Sequence, residues 1–381
     1  MISKLERMIV ELCPDGVEYV DLADVARISN GKDHKHLANG DIPVYGSGGV
    51  MRYANQYIYD QESVLIPRKG SIGNIFYVNV PFWTVDTIFY TKISKQIMPK
   101  YLYYYLTMVH VEDLNEAGGV PSLTKTVLDK VTIALPPLPI QREIVRILDN
   151  FTELTAELTA ELTTRKKQYD YFRNILLSFG DDVPMVELAG IADFKYGFTD
   201  TAKDQGSVRF IRITDIGDNG KLQQSDYKYI DLTEESGKYL LKKGDLLMAR
   251  TGATYGKTML FEDDIQAVYA SFLIRIRFVE NTILPAYYWH FAQSGLYWKQ
   301  ANKLVSKAGQ PQFNANVLRS VVIPMPLIEE QSRIVSILDR FDALTTNISN
   351  GLPAEIAARQ KQYEYYRDKL LTFPAKQQSP M

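Results

Sequence analysis

Apolar positions recur at alternating intervals of four and three along 144–179: Ile144, Leu148, Phe151, Thr155, Leu158, Leu162, Arg165, Tyr169, Phe172, Leu176 and Phe179, with Thr155 and Arg165 the weak rungs. That interval is the seam of a helix packed along another helix. No Pro or Gly interrupts 140–179. The pattern predicts one helix roughly 60 Å long at 1.5 Å per residue. One compact domain cannot bury that length, so the helix needs a partner.

The C-terminal stretch supplies it. Residues 330–348 repeat the first half of the seam at an offset of 190, with Gln141/Gln331, Ile144/Ile334, Leu148/Leu338, Asp149/Asp339 and Phe151/Phe341 identical. Then 165–179 returns as 359–373 at an offset of 194, nine of fifteen residues being the same. The predicted second seam runs through Ile334, Leu338, Phe341, Tyr363, Tyr366 and Leu370. Its four extra residues, with Gly351 and Pro353 among them, predict a break near 350–354.

The repetition reaches beyond the helices. VEYVDLADVA (17–26) pairs with VPMVELAGIA (183–192), Gly31 with Gly197, Arg68 with Arg250, Gly70 with Gly252, YLYYYL (101–106) with AYYWHF (286–291), and 118–137 with 308–326. The chain is a tandem duplication of one unit, a β-rich globular part followed by a long helix. Alternating apolar runs with Gly/Asp/Asn turns predict strands at 42–45, 64–67, 75–78 and 86–92, and again at 210–214, 245–250, 258–261 and 270–278. Pro-led, Tyr-rich 99–108 and 285–294 predict short packed helices. The N-terminal helix (2–13) aligns with the end of the central one, so chain start and chain end are expected to meet. The fold class is α+β: two β-rich mixed domains separated by two long helices forming an antiparallel coiled coil, with pseudo-two-fold repetition. The boundaries are 1–139, 140–180, 181–327 and 328–381.

Composition narrows the function. Cys13 is the only cysteine, which excludes a disulfide framework and a Cys-based zinc site and fits a reducing cytosol. No apolar run reaches membrane-spanning length, and the amphipathic N-terminus lacks a signal peptide's apolar core. The formal net charge of −2 gives no overall basic footprint, so nucleic-acid contact would need basic faces offset by acidic helices.

Catalytic motifs are weak. GATYGKT (252–258) has three residues between Gly and Gly-Lys-Thr where a P-loop needs four, and its repeat RKGSIGN lacks the Lys-Thr. GSGG (46–49) suits a turn better than a dinucleotide loop, and the H-x-H of His34 and His36 has no third ligand in view. No G-x-S-x-G, H-E-x-x-H or (Asn/Asp)-Pro-Pro-(Tyr/Phe) is present. The specific signal is FTELTAELTAEL (151–162), one degenerate and two perfect tetrapeptide copies. These also describe an ordinary helix with a Leu every four residues and Glu on its solvated face.

TAELTAEL flanked by REIVRILD and RKKQYDYFR, duplicated as RIVSILDRFD and RQKQYEYYRDKLL, resembles the specificity subunit of type I restriction–modification enzymes over essentially the whole chain. The resemblance implies two target-recognition domains, one per half of a split DNA site. It also implies two methyltransferase subunits on the helices, and motor/nuclease subunits for restriction. Cofactors belong to those partners (S-adenosylmethionine; ATP and Mg), and none to this chain. It implies a cytoplasmic protein with no membrane contact and no catalysis of its own.

Base reading needs donors and acceptors on loops, with Lys and Arg on phosphates. The DNA-facing candidates are Lys32, His34, Lys35, His36, Tyr45, Ser47, Arg52, Arg68, Lys69 and Ser71, then Lys203, Arg212, Thr214, Asp215, Arg250, Thr251, Tyr255, Lys257, Lys307 and Gln310. Matched residues such as Arg68 and Arg250 suit phosphate contact or a shared fold feature; unmatched ones suit sequence reading. The rival readings are a coiled-coil adaptor joining two protein-binding domains, and an enzyme with a nucleotide site at 252–258. Near-identical helices beside divergent domains favour the DNA reader: identical partners on the helices, different half-sites on the domains.

Overall fold

A computed structural model describes residues 2–115, 118–306, 311–347 and 351–376. The chain divides into two compact units, residues 1–157 with 356–381, and residues 158–355.

The first unit begins with helix α1 (Ile2–Leu12), strand β1 (Tyr19–Asp21), helix α2 (Leu22–Val25) and strand β2 (Ala26–Asn30). A hairpin of β3 (Ile42–Gly46) and β4 (Gly49–Ala54) follows, then β5 (Ser63–Pro67), β6 (Phe76–Val78), β7 (Trp83–Thr84) and β8 (Ile88–Ile93). Helices α3 (Pro99–Val109) and α4 (Lys125–Asp129) lead to β9 (Thr132–Ala134) and the long helix α5 (Leu138–Leu176). Strands pair as β2-β8-β5-β6, β4-β3-β7 and β1-β9. All five residues of β5 are buried, as a strand covered on both faces requires.

The second unit repeats this order. Its strands are β10 (Met185–Glu187), β11 (Ala192–Tyr196), β12 (Val208–Ile211), β13 (Tyr229–Ile230), then, after helix α6 (Glu234–Gly237), β14 (Leu246–Ala249), β15 (Thr258–Leu260), β16 (Ala267–Tyr269) and β17 (Leu273–Phe278). Helices α7 (Pro285–Ala292), α8 (Gly295–Leu304) and α9 (Ala315–Arg319), strand β18 (Val322–Pro324) and helix α10 (Ile328–Thr346) complete it, and α11 (Leu352–Leu371) returns to the first unit. The sheets β11-β17-β14-β15, β13-β12-β16 and β10-β18 reproduce the first unit's strand for strand. The parallel strand pairing recurs too, β3 with β7 and β12 with β16.

The matched glycines show why the duplication persists in sequence. A Cβ on Gly31 would lie 1.9 Å from the Val85 carbonyl oxygen, and one on Gly197 would lie 2.2 Å from that of Ala270. Both strands pass too close to a neighbouring backbone for any side chain.

Several boundaries differ from the sequence expectation for local reasons. The strand expected at 210–214 ends at Ile211, because the backbone N–H of Arg212 donates to Asp215 Oδ2 (2.7 Å) and starts a 3-10 turn. The helix expected at 285–294 ends at Ala292, and a second helix, α8, starts beyond it where Ser294 Oγ accepts from the Tyr297 N–H. The Tyr-rich helices align one residue differently from YLYYYL/AYYWHF: Tyr101 donates to Ala134 O (2.9 Å) and Tyr287 to Pro324 O (3.1 Å), so Tyr104 stands opposite His290. The expected break falls between Thr346 and Leu352; 348–350 lie outside the described residues.

Helix packing follows the predicted seam with a drift. Ile144, Leu148, Ile334, Leu338, Tyr169, Tyr363 and Leu370 are buried, and Phe151, Leu158 and Leu162 are half-buried. Beyond Tyr169 the inward face passes to Arg173 and Leu177, leaving Phe172 exposed and Leu176 half-buried. A straight helix of 3.6 residues per turn drifts from a seven-residue repeat in this way. In the first unit Phe151 stacks on Tyr366 (5.4 Å, 23°) and Tyr363 meets Tyr104 (6.4 Å). In the second, Phe341 stacks on Phe172 (5.4 Å, 24°) and Tyr169 meets His290 (6.4 Å).

Each following helix is clamped at its start by a buried glutamine. Gln141 Oε1 accepts from Met98 N–H (2.8 Å), while its amide donates to Gln96 O and Pro136 O. Gln331 does the same with Leu284 N–H (2.9 Å) and Pro326 O (3.0 Å). Chain start and chain end meet in the first unit. Val17 and Ala375 form a parallel bridge, and Tyr19 Oη donates to Phe373 O (2.7 Å).

Candidate nucleic-acid interface

Eight of the first unit's ten candidates sit on three loops at strand ends, and Tyr45 and Arg52 lie on β3 and β4. The loop after β2 carries Lys32, His34, Lys35 and His36; the β3–β4 turn carries Ser47; the loop after β5 carries Arg68, Lys69 and Ser71. The first two loops line a cleft of about 630 Å³ that includes Asp33, His34, Lys35, Ser47 and Met51. The third touches them: Asn74 Nδ2 donates to Ser47 O (3.2 Å). Lys32, Lys35, His36, Lys69 and Ser71 are exposed. His34 Nδ1 is buried with no hydrogen bond, a donor or acceptor left open at the cleft wall. His36 packs edge-on against Trp83 (5.8 Å), whose Nε1 holds the loop through Lys32 O.

Two candidates here have internal work. Arg52 Nη2 donates to Leu37 O (2.9 Å) and Asn39 Oδ1 (3.3 Å), bracing the loop below the histidines. Tyr45 packs between Phe76 and Phe82, and burial raises its pKa.

The matched arginines share one backbone setting. Arg68 N–H donates to Thr87 O and Arg68 O accepts from Leu123; Arg250 repeats this with Phe272 and Phe313. The guanidinium of Arg68 lies over Phe89 (5.2 Å), and that of Arg250 over Tyr196 and Phe272 (5.3 and 5.4 Å). Gly70 and Gly252 follow at φ 80° and 73°, each N–H donating to a proline carbonyl (Pro121, Pro311). The pair therefore holds a shared fold feature.

In the second unit more candidates are engaged. Asp215 is 2% exposed and held by Arg212 through Nε–Oδ2 (3.2 Å) and Nη2–Oδ1 (2.8 Å); Arg212 also reaches Asp226. The Asp215 carboxylate, and Asp226 after it, hold the Arg212 guanidinium well above its ordinary pKa. Thr251 is buried and accepts from Gln312 Nε2 (2.9 Å). Tyr255 donates to Asn302 Oδ1 (2.7 Å). Lys203 pairs with Asp231 (2.7 Å) and Lys257 with Asp218 (2.6 Å), both near the surface. Thr214 is exposed, and Lys307 and Gln310 lie outside the described residues. The segment 252–258 forms no phosphate cradle: Lys257 is turned to Asp218, and Thr258 is buried with its hydroxyl on Gly256 O.

Sequence reasoning passed over Gln141/Gln331 and Arg173/Arg367, though their identity across the repeats was visible. It also passed over Arg209, which has no repeat partner. Among the described residues no group of three or more His, Cys, Asp and Glu is placed to hold a metal ion, and no helix is long and apolar enough to cross a membrane.

The family model of the type I restriction modification DNA specificity domain matches residues 14–165 and again 180–358. The chain is 34% identical to a putative type I restriction enzyme specificity subunit of Haemophilus influenzae, over 94% of this chain and 96% of that one. It is 37% identical to the EcoR124I/EcoR124II specificity subunit of Escherichia coli, over 72% and 71%. Among solved structures, a type I restriction–modification S subunit from M. genitalium superposes with a TM-score of 0.60 over 93% of this chain and 96% of that one, at 11% identity, a likeness of fold. With both repeats matched and a relative aligned nearly end to end, the chain belongs to the type I restriction–modification specificity family, the non-catalytic DNA-recognition subunits of those systems.

Proposed function

We propose that this chain reads a split, asymmetric DNA site, one half with each globular unit, inside a cytoplasmic complex of two methyltransferase subunits that motor/nuclease subunits join for restriction. S-adenosylmethionine serves the methyltransferase, and ATP and Mg serve the motor. The observation that carries the reading is the contrast within the duplication. Strand order, glutamine clamps and helix stacking repeat almost residue for residue, while the candidate polar side chains on the loops at the strand ends differ, the Arg68/Arg250 pair apart. A duplicated frame with divergent tips suits one kind of partner on the helices and two different half-sites on the loops.

The exposed loop groups Lys32, Lys35, His36, Lys69, Ser71 and Thr214, with His34 and the half-buried Ser47 at the cleft, are the contacts proposed for the DNA. Lys203 and Lys257 join them by exchanging exposed carboxylates for phosphates. Helix α5 starts in the first unit and ends in the second, with the TAEL copies at its middle. One further TAEL lengthens it by about 6 Å and turns it by about 40°, against roughly 3.4 Å and 35° per base pair. The gap between half-sites is expected to grow by one base pair, and an insertion mutant retaining the parental gap would sink the ruler.

The direct experiment is long-read detection of methyladenine in cells with and without this gene, the methyltransferase being present in both. A split motif that vanishes on deletion establishes the reading and yields both half-sites and the gap. Unchanged methylation returns the adaptor reading.

A further inference from the structure

The second unit contains a charged group whose surroundings are incomplete. Arg209 lies on β12, all four residues of which are buried, and is itself only 5% exposed. Its Nε and Nη2 are buried without a hydrogen-bond partner. The nearest carboxylate oxygen, Asp215 Oδ1, is 3.9 Å from Nη2, beyond hydrogen-bonding distance, and is already bound by Arg212. Two guanidinium groups thus share one buried carboxylate, and Arg212 takes it. The Tyr227 ring covers the Arg209 guanidinium at 4.0 Å, which attracts a cation but accepts no in-plane N–H. A buried charge is normally both paired and hydrogen-bonded; Arg209 has one long ion pair and no hydrogen bond at Nε or Nη2, which points to a missing partner.

The same arginine lines a cleft of about 410 Å³ with Ser207, Gln224, Tyr227, Ile265, Gln266 and one half-buried carboxylate, Asp263, whose repulsion of an anion the arginine charge opposes. Apolar and aromatic walls with a few convergent polar groups are the usual make-up of a small-ligand site. Gln224 Oε1 accepts from Tyr227 Oη (2.7 Å), which leaves its amide N–H groups as donors beside the arginine. The feature belongs to this unit alone. The equivalent position in the first unit is Pro43, fixed by the parallel pairings Tyr45–Thr84 and Ile211–Tyr269. Proline carries no charge there.

We infer that this cleft is an oxyanion site that takes a phosphate group, with Arg209 as its charged floor and Tyr227 holding the guanidinium plane. Phosphate is the oxyanion that a DNA-reading chain meets, so the origin of the group rests on that reading: either a backbone phosphate of the second half-site or a free phosphate ester. The binding chemistry does not depend on it.

The test uses the full chain. Thermal unfolding is followed with inorganic phosphate and with dAMP, against chloride at equal ionic strength. Phosphate about a hundredfold above its dissociation constant is expected to raise the midpoint by about 5 °C in wild type and not in Arg209→Met. Ile265→Asp, an exposed change at the cleft mouth, leaves the core intact and is expected to weaken phosphate at least tenfold. Equal protection of all three chains, no protection of wild type by either probe, or an unchanged phosphate affinity in Ile265→Asp overturns the site. Duplex DNA then separates the sources. If saturating DNA removes the phosphate increment and Arg209→Met lowers the salt slope of DNA binding by about one, the phosphate is the duplex's own. If phosphate and DNA bind independently, it is a free ester. Methylation by the assembled complex reports on DNA reading separately, so either conclusion can fail without the other.

Discussion

In the first unit Tyr104 donates its hydroxyl to Asp149 (2.6 Å) beside Lys100, which reaches the same carboxylate at 2.7 Å. At the equivalent place in the second, His290 Nε2 meets Asp339 at 2.8 Å, and His290 Nδ1 lies 3.2 Å from the Tyr169 hydroxyl. An ionised carboxylate only accepts, so the imidazole donates from Nε2 and accepts the tyrosine proton at Nδ1. The two joints share aromatic stacks, an aspartate and a buried arginine (Arg367, Arg173). They differ in the group that ties the Tyr-rich helix to the aspartate. A tyrosine whose pKa is raised by burial and by Asp149 stays neutral at working pH and in acid, whereas the buried histidine, its pKa lowered by burial, takes up a proton in acid. One frame therefore holds two helix joints of different pH sensitivity.

The largest expected effects probe the stacks. Phe341 meets two rings, Phe172 at 5.4 Å and Tyr169 at 6.0 Å, while Phe151 meets one ring among the described residues, Tyr366. Phe341→Ala and Phe151→Ala should each cost about 3 kcal/mol or more, and Phe341→Ala more by about 0.5–1.5 kcal/mol for its second ring. Denaturant unfolding of both mutants measures the difference; equal costs would mean that Tyr169 contributes no stacking.

Next come the glutamine clamps, where the comparison predicts equality. Gln141→Leu strands the Met98 N–H, and Gln331→Leu the Leu284 N–H. Each should cost about 2 kcal/mol by leaving buried polar groups unmade. A twofold disparity between them would break the equivalence of the two helix starts.

How much of this could be read from the chain follows from the same residues. The seam, the duplication and the glycines were legible because periodicity and identity record packing and close approach directly. The joint was not. It is made by side chains from separate segments, so nothing local marks His290 as the counterpart of Tyr104, and the apparent pairing of the Tyr-rich runs was off by one. Charged residues were the least legible. Asp215, Arg212 and Arg52 have the composition of DNA contacts, yet their hydrogen bonds are spent inside the fold. Arg209 sits in an apolar strand pattern and gives no sign of its missing partner.

The titration of His290 is smaller and is confined to the second unit. Burial lowers its pKa below 6.5 and outweighs the Asp339 hydrogen bond and the Asp342 charge, which raise it, while Arg173 adds to the lowering. The unfolded chain therefore binds the proton first as pH falls. Stability is full above about pH 6.5 and declines below it, by at most about 1.4 kcal/mol per pH unit, until the folded histidine also protonates. His290→Tyr should install the first unit's joint and flatten this decline. Stability measured between pH 7 and 5 in both chains decides it, and a parallel fall would place the titration elsewhere.

The smallest expected effect concerns Lys203, paired with Asp231 at 2.7 Å where both side chains are at least half exposed. An exposed ion pair adds little to stability, so Lys203→Ala should leave unfolding unchanged. Its effect on DNA would be larger. If the ammonium exchanges Asp231 for a phosphate, the mutant weakens binding alike for all sequences and lowers the salt slope by about one. Lys257→Ala, whose pair with Asp218 has the same form, should behave alike. The caged Arg212 should behave oppositely. Removing its side chain leaves the 2%-exposed Asp215 with one backbone N–H and a distant arginine, so Arg212→Ala should destabilise the second unit rather than change the salt slope. A chain that loses salt slope with Arg212→Ala and keeps its stability would make Arg212 the phosphate ligand and the lysines bystanders.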